Sequence, residues 1–140
     1  MGIPSEIRSW LEGFAECVRQ RDFNRGKTYF QRNVYGFGSY AAACKGIDQL
    51  ANRQWKAIWP NITGFAFDLR QVHYKISADG RWACVMTPWR STGYRSGRPF
   101  QRGGRVTILL TRLRRNSPWR AIHTHYSLNP GTPQTALRRR

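Results

Sequence analysis

Trp119-Arg-Ala-Ile-His-Thr-His-Tyr-Ser-Leu128, running on into Asn129-Pro-Gly-Thr-Pro-Gln-Thr135, is the stretch that decides the fold. Its side chains alternate with the period of two expected of a strand. It carries two of the three histidines, and prolines bound the tail that follows. Working backwards, Arg105 to Leu113 is a second apolar run, and Arg114-Arg-Asn-Ser-Pro118 reads as the turn between the two. Trp82 to Trp89 precedes them, with Pro88 indicating an edge or a bulge because proline brings no N–H to a ladder. Arg95-Ser-Gly-Arg-Pro99 is the turn that follows. Phe65 to Ile76 reads as one long half-alternating strand, and Asp79-Gly80 as a two-residue hairpin signal leading to Trp82.

The N-terminal half is helical. Ser5 is placed to cap a first helix, with Glu6 near its positive end. Ile7, Trp10, Leu11, Phe14, Cys17 and Val18 follow at helical spacing. Asp22 caps a short second helix that brings Tyr29 and Phe30 inward, and Asn33 to Gly38 forms a short strand. Gly46 precedes a third helix carrying Ile47, Leu50, Ala51, Trp55, Ile58 and Trp59, stopped at Pro60. Helix, helix, strand, helix and then long strands imply an α+β domain whose curved antiparallel sheet wraps around three helices as a cone, leaving a pocket between. Residues 1–135 are read as one domain and 136–140 as a basic C-terminal tail.

Composition narrows the class. At 140 residues with 40% hydrophobic content, the chain is large and apolar enough to bury a core without staples. Cys17, Cys44 and Cys84 lack any paired ligand spacing, so they read as small buried side chains in a reducing compartment. The start, Met1-Gly-Ile-Pro-Ser-Glu, has no basic and apolar leader, and no apolar run reaches membrane-spanning length. A cytoplasmic protein is the expectation.

The charge is unusual. Lysine and arginine number 24 against 7 acids, a formal +17, and nothing after Asp79 is acidic. A field of one sign attracts polyanions, most strongly at low salt, and also keeps a chain dispersed. Arg95, Arg98 and Arg102, interleaved with Tyr94 and Phe100, are the candidate grip for phosphates and bases. The other reading is a hairpin loop whose arginines point into water.

Val34-Tyr-Gly-Phe-Gly-Ser39, Gly46-Ile-Asp48, Trp89-Arg-Ser-Thr-Gly-Tyr94, Gly104-Arg-Val-Thr107 and the Trp119-to-Thr135 segment together resemble the nuclear transport factor two-like superfamily. Within it the chain is most similar to the SnoaL-like and ketosteroid isomerase-like branch. The His-x-His of the last strand is similar to the association domain of calcium/calmodulin-dependent kinase II. The resemblance implies a cystatin-like cone and a homodimer, or higher homo-oligomer, built through the outer sheet face. It implies no single activity, because that scaffold hosts isomerases, cyclases, dehydratases and assembly hubs. Arg32, Arg90 and Gln101 stand where related sequences often carry acids, so the exterior resembles a positively supercharged one, natural or engineered.

The resemblance also suggests which face of the last strand looks inward. Ile122, Thr124 and Tyr126 are assigned to the cone interior, and His123 and His125 to the opposite face. Thr87, Trp89, Arg105 and Thr107 would join Thr124 and Tyr126, with Tyr35, Phe37, Trp55 and Trp59 on the remaining wall. Such an aromatic pocket with one guanidinium suits a flat apolar or weakly anionic ligand, or else is simply core. His123 and His125 admit three roles: a metal pair lacking a third ligand, acid–base groups, or a hydrogen-bonded pair at a subunit interface. For isomerase or cyclase chemistry on a small hydrophobic substrate, Asp68 is the one acid left for a pocket, beside Tyr126 and the histidines. No metal site is predicted and no cofactor motif occurs. The main expectation is a small-ligand-binding or homo-oligomeric scaffold with a cationic surface; the alternatives are such an enzyme or a nucleic-acid-binding or packaging protein.

Overall fold

The structure, a computed structural model, describes residues 2–131; the expected domain end at Thr135 and the basic tail 136–140 lie outside the described residues. Helix α1 (Ser5–Gln20) buries Ile7, Trp10, Leu11, Phe14, Ala15, Cys17 and Val18, the face its spacing predicts. Ser5 does not cap it. Pro4 holds that position, its φ fixed near −55° by the ring, and its carbonyl accepts from the Arg8 N–H at 3.0 Å. At the other end Arg21 takes a left-handed conformation, with its N–H on the Val18 carbonyl and that of Asp22 on Cys17. Asp22 then caps α2 (Phe23–Lys27), accepting from the Arg25 N–H at 3.0 Å.

The third helix spans residues 47–61 and begins after Gly46, whose φ is +87°. Ile47, Ala51, Trp55 and Trp59 recur every fourth residue, a spacing that drifts around an ordinary helix of 3.6 residues per turn. The helix answers with wider π-helical turns over Leu50–Trp55, which keep that row on the core. No helix among the described residues is long and apolar enough to cross a membrane.

Seven strands form one curved, unclosed sheet: β1 (Phe30–Phe37), β2 (Cys44–Lys45), β3 (Ile62–Phe67), β4 (His73–Ile76), β5 (Trp82–Arg95), β6 (Arg98–Thr111) and β7 (Arg120–Leu128). Their order is β2-β1-β7-β6-β5-β3, with β4 also paired to β5. The sheet is mixed where an antiparallel one was expected, because β1 and β7 run parallel. Only hairpin-linked neighbours are compelled to be antiparallel, and these two strands meet from opposite ends of the sequence.

The single strand expected over Phe65 to Ile76 is two. Asp68 breaks it by accepting from the Arg70 N–H at 3.2 Å and the Gln71 amide at 2.7 Å, which winds Leu69–Gln71 into a short 3-10 turn. Pro88 lies opposite this break. Its carbonyl accepts from the Asp68 N–H at 3.0 Å, so its missing N–H faces the gap between β3 and β4, and a proline survives inside a central strand. The hairpin through Asp79-Gly80 is longer than two residues, since its last rung joins the Ser77 N–H to the Trp82 carbonyl. The two-residue hairpin occurs instead at Ser96-Gly97, both with positive φ.

One irregularity sets the interior. Leu109 pairs with His123 and Leu110 with Ala121, so Ile122 is an extra residue in β7. Trp119 and Ala121 face the core before this bulge, and Thr124 is buried after it. Ile122 therefore does not share the face of Thr124, as strict alternation implies, but lines a groove with Trp82 and Arg120.

Candidate functional site

The helices and the concave sheet face enclose an aromatic cluster. Phe14 is its hub, with ring centroids 5.1 Å from Phe30, 5.7 Å from Trp55 and 5.8 Å from Trp59. Trp55 and Trp59 stack at 4.6 Å, and Phe23 stacks on the far side of Trp59 at 5.1 Å. Across the sheet, Trp89 meets Phe65 at 5.9 Å and Tyr126 at 6.0 Å. Between these groups lies a cavity of about 40 Å³. That is room for one or two waters, so the rings fill most of the space themselves.

Its polar groups converge at one end. Arg102 donates to the Ser39 hydroxyl at 2.8 Å, and its guanidinium lies 5.1 Å from the Trp89 ring centroid. Ser39 also accepts from the Gln54 amide at 3.2 Å, while Gln54 holds the N–H groups of Tyr40 and Ala41 at 3.1 and 2.7 Å. This chain of bonds ties the loop after β1 to the third helix and leaves the Ser39 hydrogen free to donate. Arg102 is half-buried and has no carboxylate partner among the described residues. Burial accordingly pushes its guanidinium down from the usual value. The Tyr126 hydroxyl is buried in the same cavity without a hydrogen-bond partner among the described residues, and burial pushes its phenol up from the ordinary 10.0. An unpaired cation and an unpaired hydroxyl therefore share one apolar chamber.

Five of the residues expected at the pocket line it, Trp55, Trp59, Trp89, Thr124 and Tyr126; Phe37 borders it as well, but its ring packs on the outer face against the histidines. Tyr35, Thr87, Arg105 and Thr107 do not line it. Trp89 pairs with Gly104 and Thr87 with Val106, which turns Arg105 and Thr107 to the outer face, one residue out of phase. Arg105 there bonds the Ser127 hydroxyl at 3.2 Å. Thr87 does point inward, but its hydroxyl is spent on the carbonyls of Asp68 and Pro88. Arg102, assigned from the sequence to a phosphate-gripping loop, supplies the guanidinium of the cavity. Its signal was available: it keeps step with Gly104, Val106, Ile108 and Leu110, the inward positions of β6. Arg95 and Arg98 stay at the exposed hairpin tip.

The remaining candidates lie elsewhere. Asp68 is committed to its turn, which holds its carboxyl below the usual range through the Gln71 amide above all. His123 and His125 face outward with Tyr35 and Phe37; Phe37 sits edge-on between the imidazoles, 5.3 and 5.1 Å from their centroids, and His123 bonds the Tyr35 carbonyl. No group of three histidine, cysteine or acidic side chains among the described residues is placed to hold a metal.

The SnoaL-like domain family matches residues 7–130, nearly the whole of this fold. The chain belongs to it. Among solved structures, this SnoaL-like chain is similar to a nuclear transport factor two-like superfamily protein of Salmonella enterica serovar Typhimurium, with a TM-score of 0.76 at 19% identity over 94% of each chain. A ketosteroid isomerase-like protein of Erwinia carotovora atroseptica gives 0.72 at 15% identity, over 89% of this chain and 94% of that one. A candidate calcium/calmodulin-dependent protein kinase II association domain of Xanthomonas campestris gives 0.77 at 12% identity, over 93% and 90%. At these identities the likeness is one of fold. No curated protein matches the SnoaL-like chain.

Proposed function

We propose that this SnoaL-like domain is a binding scaffold for a small flat ligand carrying a carboxylate, seated in the aromatic cavity with its anionic end on Arg102. The observation behind this is the half-buried guanidinium without a counter-ion. Withdrawing a charge from water costs several kcal/mol unless an opposite charge joins it, and a bound carboxylate does so bidentately. The Tyr126 hydroxyl is a second donor in the same chamber, and the stacked indoles offer flat walls. No carboxylate among the described residues lines the cavity, so the reading rests on binding and assigns no proton-abstracting base.

Access follows from the same bonds. A single ring exceeds the free space, so a ligand enters by displacing the Arg102–Ser39–Gln54 clasp and the loop it holds. Titration of intrinsic fluorescence with benzoate and indole-3-acetate, against their neutral amides, tests the proposal. Each acid is expected to bind about tenfold or more tightly than its amide, as a charge-assisted hydrogen bond implies, and Arg102→Met to abolish the difference. Equal binding of acid and amide, or an acid preference that survives Arg102→Met, refutes it.

A further inference from the structure

The convex face of the sheet holds no acidic residue. Strand register places Arg120 on β7, Arg105 on β6, Arg90 on β5 and Lys75 on β4, so four successive neighbours each contribute one exposed cation, and Lys45 on β2 adds a fifth beyond β1. None of these five is in an ion pair among the described residues. The acids lie elsewhere: three on α1, Asp22 and Asp48 at helix starts, Asp68 and Asp79 in turns. Five of them are paired with cations other than these, at 3.9 Å or less. The cations of this face are therefore uncompensated, whereas five of the acids neutralise cations elsewhere.

Exposed rings stand among these cations. Trp82, 51% exposed, shares a row with Thr111 and Arg120 on adjacent strands. Tyr35 and Tyr94 share the face, at 42% and 47%. Beside Trp82 a groove is lined by Arg120, Arg81 and the amide side chains of Gln31 and Asn33, which can read base edges. Guanidinium groups for phosphates, flat rings for bases and amides within one groove form a platform for an unpaired strand. A second copy of the chain fits less well, since a two-fold contact sets these cations against themselves. An anionic membrane calls for a continuous apolar patch, and here the rings are separated by charge.

We propose that the convex sheet face binds single-stranded nucleic acid through Arg90, Arg105 and Arg120, with Trp82 stacking on a base. The test is fluorescence anisotropy of a labelled 12-nucleotide oligouridylate across 50 to 500 mM salt, with light scattering to fix the oligomeric state and circular dichroism to confirm folding. Each neutralised phosphate contributes about −0.7 to the slope of log affinity against log salt. Wild-type protein is expected near −2, and the slope is expected to flatten to shallower than about −1 when Arg90→Gln, Arg105→Gln and Arg120→Gln are combined. A control removing the same charge from the helical side, Arg8→Gln with Arg21→Gln and Arg53→Gln, is expected to keep the wild-type slope. Trp82→Ala is expected to weaken binding about fivefold at unchanged slope. Equal losses in the two triple variants overturn the proposal, as they reduce binding to net charge. So do a stable dimer that binds no oligonucleotide, and capture by phosphatidylserine vesicles without oligonucleotide binding.

Discussion

Tyr126→Phe removes one oxygen and leaves the ring against Trp89, 6.0 Å away between centroids. Because the hydroxyl is buried without a partner, the free protein bears its desolvation cost, about 1–3 kcal/mol for such a group. Deleting it is expected to stabilise the free protein by about 1 kcal/mol, a rise of roughly 3 °C in Tm for a chain of this size. The same deletion is expected to weaken aromatic carboxylates about fivefold, since one donor to the bound anion is gone. Opposite signs in stability and affinity mark a group kept for a ligand rather than for the fold. Urea denaturation at unchanged m-value, paired with acid titration, measures both. The pH dependence has its own sign. The folded phenol titrates above its unfolded value of 10.0, so its contribution is complete below pH 10 and drains away as pH rises beyond it. Wild-type protein should therefore lose stability above pH 10 more steeply than the variant. A Tyr126→Phe protein less stable by 1 kcal/mol or so would falsify the reasoning: the hydroxyl would then have a partner in the free protein, for which a water in the 40 Å³ cavity is the physical candidate.

Two further substitutions probe the scaffold that carries the cavity. Gly104→Ala places a methyl inside contact distance of the Ser127 carbonyl and 2.8 Å from the Trp89 ring, so a loss of about 3 kcal/mol is expected in denaturant titration. Arg112→Met removes a side chain only 7% exposed that lies 3.8 Å over Trp119 and bonds the Gly80 carbonyl and Glu6; a loss of about 2 kcal/mol is expected, insensitive to salt if the carbonyl bond dominates.

The order of elements and the buried face of α1 were legible because hydrophobic period reports on each segment alone. What was not legible depends on how segments pair. The β1–β7 contact joins residues such as Tyr35 and His123, and no local signal in either predicts that they run parallel. The bulge at Ile122 shifts alternation by one residue, so a strand correctly recognised still had one side chain assigned to the wrong face. The same parity error placed Arg105 in the cavity and Arg102 outside it, because Trp89 could not be matched to Gly104 without the register of the hairpin. The strand expected over Phe65 to Ile76 is split at Asp68, whose side chain competes with the ladder for backbone donors, an effect that hydrophobic alternation does not register. Ser39 and Gln54 carried no signal of their own, since their roles arise from a loop folding back on a helix.

Register also makes the two proposals separable within a single strand. Arg102 and Arg105 belong to β6, yet they occupy opposite faces of the sheet, one clasping Ser39 within the cone and the other bonding Ser127 outside it. Side chains separated by the sheet and without shared partners act additively to within about 0.5 kcal/mol. Arg102→Met is therefore expected to weaken indole-3-acetate and leave oligouridylate affinity within twofold, while Arg105→Gln does the reverse. In the double variant each loss should equal that of its single variant. Coupling beyond about 0.5 kcal/mol in either assay would mean that the sheet transmits between its faces, or that one ligand occupies both. Either result would break the assignment of the two arginines to distinct partners.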